Sequence, residues 1–238
     1  MDKHDTKNFN YISKFIVDGD VLVDVGAHLG VYSDFFLKSL NGTGKVYTLE
    51  PHPTNYDRLY RKYKNSDKLD SKTIVLENKA ASDIDGIIDV YHDMGTQTQT
   101  TNIVGFDVNG VKVGKIGDVE CTRLDTLLMG EEKIKLVKID VEGAEIKVLE
   151  GLSGVIEKVS NLLVECHMDE DWGTIKDLLL NKYNFSCYDV QFESPVTIDT
   201  EERSYQCLCK KNNLPFEEVM PEWNTEYNKG YTLMGKPN

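Results

Sequence analysis

The sequence predicts an open α/β fold, a mostly parallel β-sheet with helices on both faces. The first observation behind this is residues 21–30, VLVDVGAHLG, where an apolar Val/Leu run meets an acid and then a glycine-bounded turn. Such a run suits a strand buried on both faces. The second is that a helical pattern follows at once in residues 31–40, giving the strand, turn and helix of a βαβ half-unit. The third is repetition. Further apolar runs at 45–49, 73–77, 135–140 and 161–165 each end at a polar residue, with helical spacing between them.

In chain order, residues 8–17 carry Phe9, Ile12, Phe15 and Ile16 at helical spacing, and Asp18-Gly19-Asp20 turns the chain into the first strand. The helix over 31–40 buries Val31, Phe35, Phe36 and Leu40 and ends at Asn41-Gly42-Thr43-Gly44. The second strand, 45–49, stops at Glu50 because Pro51-His52-Pro53 cannot continue it. Thr54 reads as the N-cap of a helix to about Tyr63. After the third strand, residues 86–123 change texture. A strand at 87–92, a Thr/Gln-rich stretch at 94–101, a Gly-rich stretch at 105–117 and a strand at 118–123 read as an antiparallel insertion. A short helix at 124–130, the fourth strand at 135–140, a helix beginning at Glu142 and the fifth strand at 161–165 follow. A helix over 172–182 and an antiparallel pair, 185–190 with 204–209, complete one domain over 1–211. Residues 212–238 form a polar tail holding Pro215, Pro221, Trp223, Tyr227 and Tyr231. This order matches a Rossmann-like, class I methyltransferase architecture with a seven-stranded sheet.

The bulk numbers exclude several classes. The 238 residues carry a formal charge of −13, which opposes nonspecific binding to nucleic acid, where clustered Lys and Arg are needed. The Lys-rich stretch at 60–72 is interrupted by acids and reads as a solvated helix end. No apolar run approaches the ~18 residues of a membrane span. The N-terminal MDKHDTKNFN lacks an apolar signal-peptide core. The five cysteines, at 121, 166, 187, 207 and 209, are odd in number and form no C-x-x-C pair, so a reduced, cytoplasmic chain with buried cysteines is expected.

The glycine turn is not the dinucleotide fingerprint G-x-G-x-x-G, whose second Gly lets backbone approach a pyrophosphate. That position is His28, and the sixth is Val31. The pattern present, Asp24-x-Gly26-x-x-x-Gly30, fits a nucleoside cofactor without phosphates, and S-adenosylmethionine is the common one. Glu50 stands roughly 20 residues past the turn, where such folds hold a ribose. Its two carboxylate oxygens can accept both ribose hydroxyls. Ser82 and Asp83 would address the adenine edge, though Asp83 also reads as a turn residue before Asp85-Gly86. Asp24, Gly26 and His28 would surround the methionine end, with Asp24 receiving the ammonium group or orienting the loop.

Val137-Lys138-Ile139-Asp140-Val141-Glu142-Gly143-Ala144-Glu145, followed by Leu149-Glu150-Gly151, resembles the signature of the FkbM family of methyltransferases. Other segments agree in order: Asp24-Val25-Gly26-Ala27-His28-Leu29-Gly30, Glu50-Pro51-His52-Pro53, Ala80-Ala81-Ser82-Asp83, Arg123-Leu124-Asp125-Thr126-Leu127 and Val164-Glu165-Cys166-His167. The resemblance covers about residues 21–209 and implies S-adenosylmethionine-dependent methyl transfer to a hydroxyl of a sugar, glycan, polyketide or similar small molecule. It adds Ala27 and Pro51 to the cofactor set and makes Asp140 a residue shared by both halves of the site.

On the acceptor side a hydroxyl is a poor nucleophile, and a positioned base helps by taking its proton. Asp140, Glu142, Glu165 and His167 are the candidates because the fourth and fifth strands should be neighbours. His167 titrates nearest neutrality and is the first choice of base, with a helix-start role as its alternative. Glu142 has an alternative too, favouring the positive end of the helix that it begins. Lys138, two before Asp140, reads as a buried ion-pair partner. The same acids could hold a divalent cation that acidifies the acceptor. Nothing in their spacing demands one, and no metal is expected. Two other classes compete, an NAD-dependent oxidoreductase and a noncatalytic cofactor-binding module. The missing glycines weigh against the first and the acid/His set against the second.

Overall fold

The computed structural model describes residues 3–70, 72–93, 101–102, 113–167, 171–191, 193–201 and 206–212. The Thr/Gln-rich stretch at 94–100 and the aromatic tail from 213 lie outside them.

Helix α1 (Lys3–Ile12) leads into β1 (Val21–Val25), α2 (Val31–Ser39), β2 (Lys45–Leu49), α3 (Pro53–Tyr63), the single-turn α4 (Asp67–Asp70) and β3 (Ile74–Glu77). β4 (Ala80–Ala81) follows, and the insertion over 86–123 contributes β5 (Gly86–Asp93), β6 (Thr101–Asn102) and β7 (Val113–Thr122). Then come α5 (Leu124–Leu127), β8 (Ile134–Ile139), α6 (Glu145–Gly151), β9 (Val159–Glu165) and α7 (Trp172–Lys176), which continues as a π-helix over Asp177–Lys182. The chain closes with β10 (Phe185–Asp189), β11 (Ser194–Val196) and β12 (Gln206–Lys211).

The main sheet has the order β11-β10-β12-β9-β8-β1-β2-β3. From β9 to β3 all pairs are parallel, whereas β12, β10 and β11 join antiparallel. It therefore has eight strands, one more than the seven expected. The extra one is the three-residue edge strand β11, too short for a periodicity signal. The insertion strands form a second sheet with β4, in the order β4-β7-β5-β6, with β4 and β7 parallel and β5 and β7 antiparallel over eight register pairs. β7 starts at Val113, inside the Gly-rich stretch at 105–117 and ahead of the strand expected from 118.

Strand alternation sorts side chains onto the two faces. Val23, Val25, Val137, Ile139, Leu162 and Val164 enter one core, under α5, α6 and α7. Leu22, Leu136 and Leu163 enter the other, under α1, α2 and α3. Each such side chain, fully buried, stabilises the fold by about 1.5–3 kcal/mol. Phe9 stacks on Phe35 at 4.1 Å and meets Tyr32 edge-on at 4.9 Å, which fastens α1 to α2.

Three local expectations shift. α1 ends at Ile12 rather than near Val17, because the Asp20 carboxylate takes the Val17 N–H at 2.8 Å and folds residues 17–20 into a turn. Phe15 and Ile16 still fill the core from irregular backbone. The cap of α3 is His52, not Thr54: His52 Nδ1 accepts the Thr54 N–H at 3.1 Å, and Pro53 occupies the first helical position. The cysteines are not all reduced either. The antiparallel register sets Cys187 opposite Cys209, and a disulfide joins them, while Cys121, Cys166 and Cys207 are buried thiols. A 22-residue separation hides that pairing from the sequence, and the cysteine argument for a reducing compartment falls with it. Among the described residues no helix is long and apolar enough to cross a membrane.

Candidate active site

The chain runs from β1 outward through β2 to β3, then returns to β8 on the opposite side of β1. Ligands of open α/β sheets sit at such a reversal, beyond the carboxyl ends of the strands. The residues here are those after β1, β2, β4, β8 and β9.

The loop after β1 is tightly folded. Gly26 and Ala27 both donate to the Leu49 carbonyl, at 3.1 and 3.0 Å, and Gly30 donates to Ala27 at 2.7 Å. Gly26 has φ 73°, and a Cβ there would stand 1.8 Å from the Asp140 carbonyl oxygen. The glycine thus lets the ends of β1 and β8 close on each other. Gly30, with φ 76°, caps α2 from the left-handed region, and a Cβ on it would lie 2.6 Å from Leu59.

Glu50 sits at the end of β2 and is 2% exposed. One carboxylate oxygen accepts the His28 N–H at 2.7 Å and the other the His52 N–H at 2.9 Å. Burial pushes its carboxyl up to about 7, against the lowering effect of these hydrogen bonds and that of Asn55. Asn78 holds the same corner by donating to the carbonyls of Glu50 and Pro51 at 2.8 and 3.2 Å. An ionised Glu50 is acceptor-only, so it suits a ribose diol once the His28 segment gives way and frees an oxygen. Ser82 is buried and donates to Asp83 at 2.9 Å, while the Asp83 carbonyl accepts from Arg123 at 2.5 Å. Asp83 and Asp85 lie in one bend, and Asp85 ties it to the start of α5 by accepting from Thr122, the Arg123 N–H and Thr126 at 2.8–2.9 Å.

Asp24 is fully enclosed, which favours the loop-orienting reading over an ammonium contact. Ser33 donates to one of its oxygens at 2.6 Å, and Lys138 lies 3.5 Å from the other. Lys138 is the buried ion-pair partner that its spacing suggests. Its ammonium stands 3.1 Å from Asp140, donates to the Gly26 carbonyl at 3.1 Å and lies over the Tyr32 ring. Burial alone would lower its pKa, but the charges of Asp140 and Asp24 more than reverse that and hold it above the ordinary lysine range.

Across from the loop, Asp140, Glu142 and Glu145 after β8 converge with Glu165 and His167 after β9. His167 Nδ1 meets Glu145 at 2.7 Å; its Nε2 is 3.2 Å from Glu142 and 3.8 Å from both Asp140 and Glu165. Glu142, with φ 54°, and Gly143, with φ 94°, make the sharp turn that brings Glu142 back toward the histidine. Burial would depress His167, but the Glu145 hydrogen bond and the charges of Glu142, Glu145 and Asp140 lift it to about 9. The ring therefore carries its proton at neutral pH in this arrangement, which removes the argument for it as the base. Burial, opposed by His167 and reinforced by Asp140, Glu165 and Glu145, raises Glu142 to about 7.

Three contributors escape sequence reasoning. Glu145 lies inside a motif but reads as an ordinary first-turn acid. Gln206, from β12, donates to Glu165 at 3.1 Å, and Asn8, from α1, donates to Gln206 at 3.1 Å. No local pattern marks either, since they lie 41 and 157 residues from Glu165.

The strand order and strand-end site define the α/β fold of class I methyltransferases. Two solved structures share it: an FkbM methyltransferase from Methylobacillus flagellatus (TM-score 0.50, 17% identity, 82% of this chain and 44% of that one) and an rRNA-methylase candidate from Clostridium thermocellum (TM-score 0.51, 11% identity, 88% and 94%). The chain belongs to the FkbM methyltransferase family, whose domain matches residues 24–187. It is 28% identical over 167 residues to hexuronic acid methyltransferase AglP of Haloferax volcanii, covering 68% of this chain and 62% of the relative. It is 29% identical over 181 residues to methyltransferase sdnD of Sordaria araneosa, covering 60% and 65%. The chain thus spans under two thirds of either relative's length.

Proposed function

We propose that this chain is an S-adenosylmethionine-dependent O-methyltransferase acting on a hydroxyl of a sugar, glycan or similar small acceptor. The observation that carries this is the gathering of Asp140, Glu142, Glu145 and Glu165 around His167, at the strand ends beside the Gly26–Asp140 contact. Glu50, the 26–30 loop and the Ser82–Asp83 corner would hold the cofactor, which supplies a methyl group on a leaving group that is already activated. The chain's own work is then alignment and proton removal. Glu142 is the base this reading favours, since it is partly exposed and poised near neutrality. His167, as an imidazolium, offsets the surrounding carboxylates and orients Glu142. The glycan part of the proposal draws on the Haloferax relative, named for a hexuronic acid. Family membership gives no support to the NAD-dependent reading.

Calorimetric titration with S-adenosylmethionine and S-adenosylhomocysteine tests the cofactor half, and a folded protein that binds neither refutes it. Labelled-methyl transfer to a panel of saccharides, uronic acids included, tests the acceptor half. Glu50→Ala should weaken cofactor binding, whereas Glu142→Gln should leave binding intact and lower turnover about 100-fold, within the usual range for a lost general base. Full turnover in Glu142→Gln would reassign the base.

A further inference from the structure

We propose that Asp140, Glu165 and His167 form a divalent-cation site at the acceptor side of the crevice. The site rests on geometry alone; the ion's use in acidifying an acceptor hydroxyl rests on the methyl-transfer reading above.

One atom from each of the three residues lies within 4.8 Å of the other two. They come from the ends of two adjacent parallel strands, so the sheet itself sets their spacing. Asp140 Oδ1 and Glu165 Oε1 both approach His167 Nε2 at 3.8 Å. Neighbouring ligands on an octahedral ion with bonds of ~2.1 Å stand ~3 Å apart, so side-chain rotation has a gap of under about 1 Å to close between each carboxylate and the histidine nitrogen.

The outer atom of each candidate ligand is held by a separate buried group. Lys138 takes Asp140 Oδ2 at 3.1 Å. Gln206 donates to Glu165 Oε2 at 3.1 Å, and Asn8 fixes the direction of that amide by donating to Gln206 Oε1. Glu145 meets His167 Nδ1 at 2.7 Å, which leaves Nε2 toward the carboxylates. Ligands oriented this way from an outer shell are characteristic of metal sites.

A further observation points the same way. Glu145 has no solvent exposure, and its Oε2 is buried without a hydrogen-bond donor. A buried carboxylate oxygen without compensation is costly. A divalent ion on Nε2 in place of its proton adds one positive charge to the ring that Glu145 faces. Asp24, Asp140, Glu142, Glu145 and Glu165 meet Lys138 and the His167 ring here, so acids still outnumber cations and the cluster has room for an ion.

Two carboxylate oxygens and one imidazole nitrogen suit a first-row ion such as Mn²⁺ better than Ca²⁺, which takes oxygen ligands throughout. Three protein ligands leave positions for exchangeable oxygen. On binding, Nδ1 keeps its hydrogen on Glu145 and Nε2 gives up its proton to solvent as the metal bond forms, so the ion takes over from the imidazolium both the offsetting of the carboxylates and the contact with Glu142.

The test is Mn²⁺ titration of the full chain after chelator stripping, with free Mn²⁺ read by electron paramagnetic resonance. One equivalent should bind. Glu165→Gln and His167→Asn should each weaken binding at least 10-fold, and Glu145→Gln about 10–100-fold. A folded wild type that binds no Mn²⁺, or variants that bind like wild type, would overturn the site. Where a variant does not fold, wild-type NMR decides: substoichiometric Mn²⁺ must broaden the His167 ring protons, and an unaffected ring refutes the site. Methyl transfer that proceeds undiminished in chelator would overturn the ion's role while leaving the methyltransferase reading intact. Mn²⁺ binding without cofactor binding would do the reverse.

Discussion

Gly26→Ala probes the joint on which the whole site is built. The added Cβ would stand 1.8 Å from the Asp140 carbonyl oxygen, where ordinary van der Waals contact begins near 3.4 Å. About 1.6 Å must therefore be found by parting the ends of β1 and β8. The obstacle is backbone within a hydrogen-bonded sheet, where Asp140 N–H already donates to the Val25 carbonyl at 3.2 Å. Gly26 also has φ 73°, where a side chain costs about 1–2 kcal/mol. Overpacking adds about 1–3 kcal/mol, for a total of about 2–5 kcal/mol. Gly19→Ala is the matched control. Its φ is 89°, but a Cβ there meets nothing within 4 Å, so it carries the conformational cost alone. Urea denaturation followed by circular dichroism should place Gly26→Ala below Gly19→Ala by at least about 1 kcal/mol. Thermal midpoints should separate by several degrees, at about 2–4 °C per kcal/mol. Equal stabilities for the two variants would refute the close approach of loop and strand.

Three further outcomes follow from the same geometry. His52→Ala removes the α3 cap and should cost about 1 kcal/mol in urea denaturation, whereas His52→Asn, which can also cap, should keep most of that stability. Lys138→Met leaves Asp24 and Asp140 without their cation and should destabilise by about 3–5 kcal/mol; adding Asp24→Asn should restore part of the loss, a recovery that a double-mutant cycle measures. The third is pH dependence in chelator. Glu50 and Glu142 sit near 7, above their ordinary value of 4.5, so their contribution is complete below about pH 4.5 and is lost as pH rises through 7. His167, near 9, adds stability that is complete below 6.5 and lost as pH rises through 9. Stability should fall across this window, by up to about 3 kcal/mol from the buried Glu50. Glu50→Gln should flatten the lower part, and a wild type whose thermal midpoint rises from pH 5 to 9 would contradict the assignment.

What the chain revealed before folding depends on whether a feature is local. β1 was readable because burial on both faces leaves a continuous apolar run, and α2 because its apolar spacing follows directly. Glu50, Asp140 and Glu165 were readable as strand-end acids, and the parallel order brings the last two side by side. Register was not readable. The meeting of Cys187 with Cys209, of Gln206 with Glu165, and of Asn8 with Gln206 depends on which strands pair and by how many residues they slide. Glu145 shows another limit. An acid in a first helical turn is common, and only the closure of β9 against β8 sets a histidine before it. Charge state was hidden for the same reason: His167 is an ordinary histidine until carboxylates from two strands surround it.

The amides that Glu50 receives from His28 and His52 have a consequence for how this protein meets a small molecule. A diol arriving at that carboxylate enters an exchange, since the His28 N–H already occupies one of its oxygens. The enthalpy gained there is largely the enthalpy surrendered by the loop, so binding should draw its favourable free energy from elsewhere in the crevice. Its rate should be limited by how often residues 26–30 lift away, and stopped-flow traces should level off as ligand concentration rises instead of climbing in proportion to it.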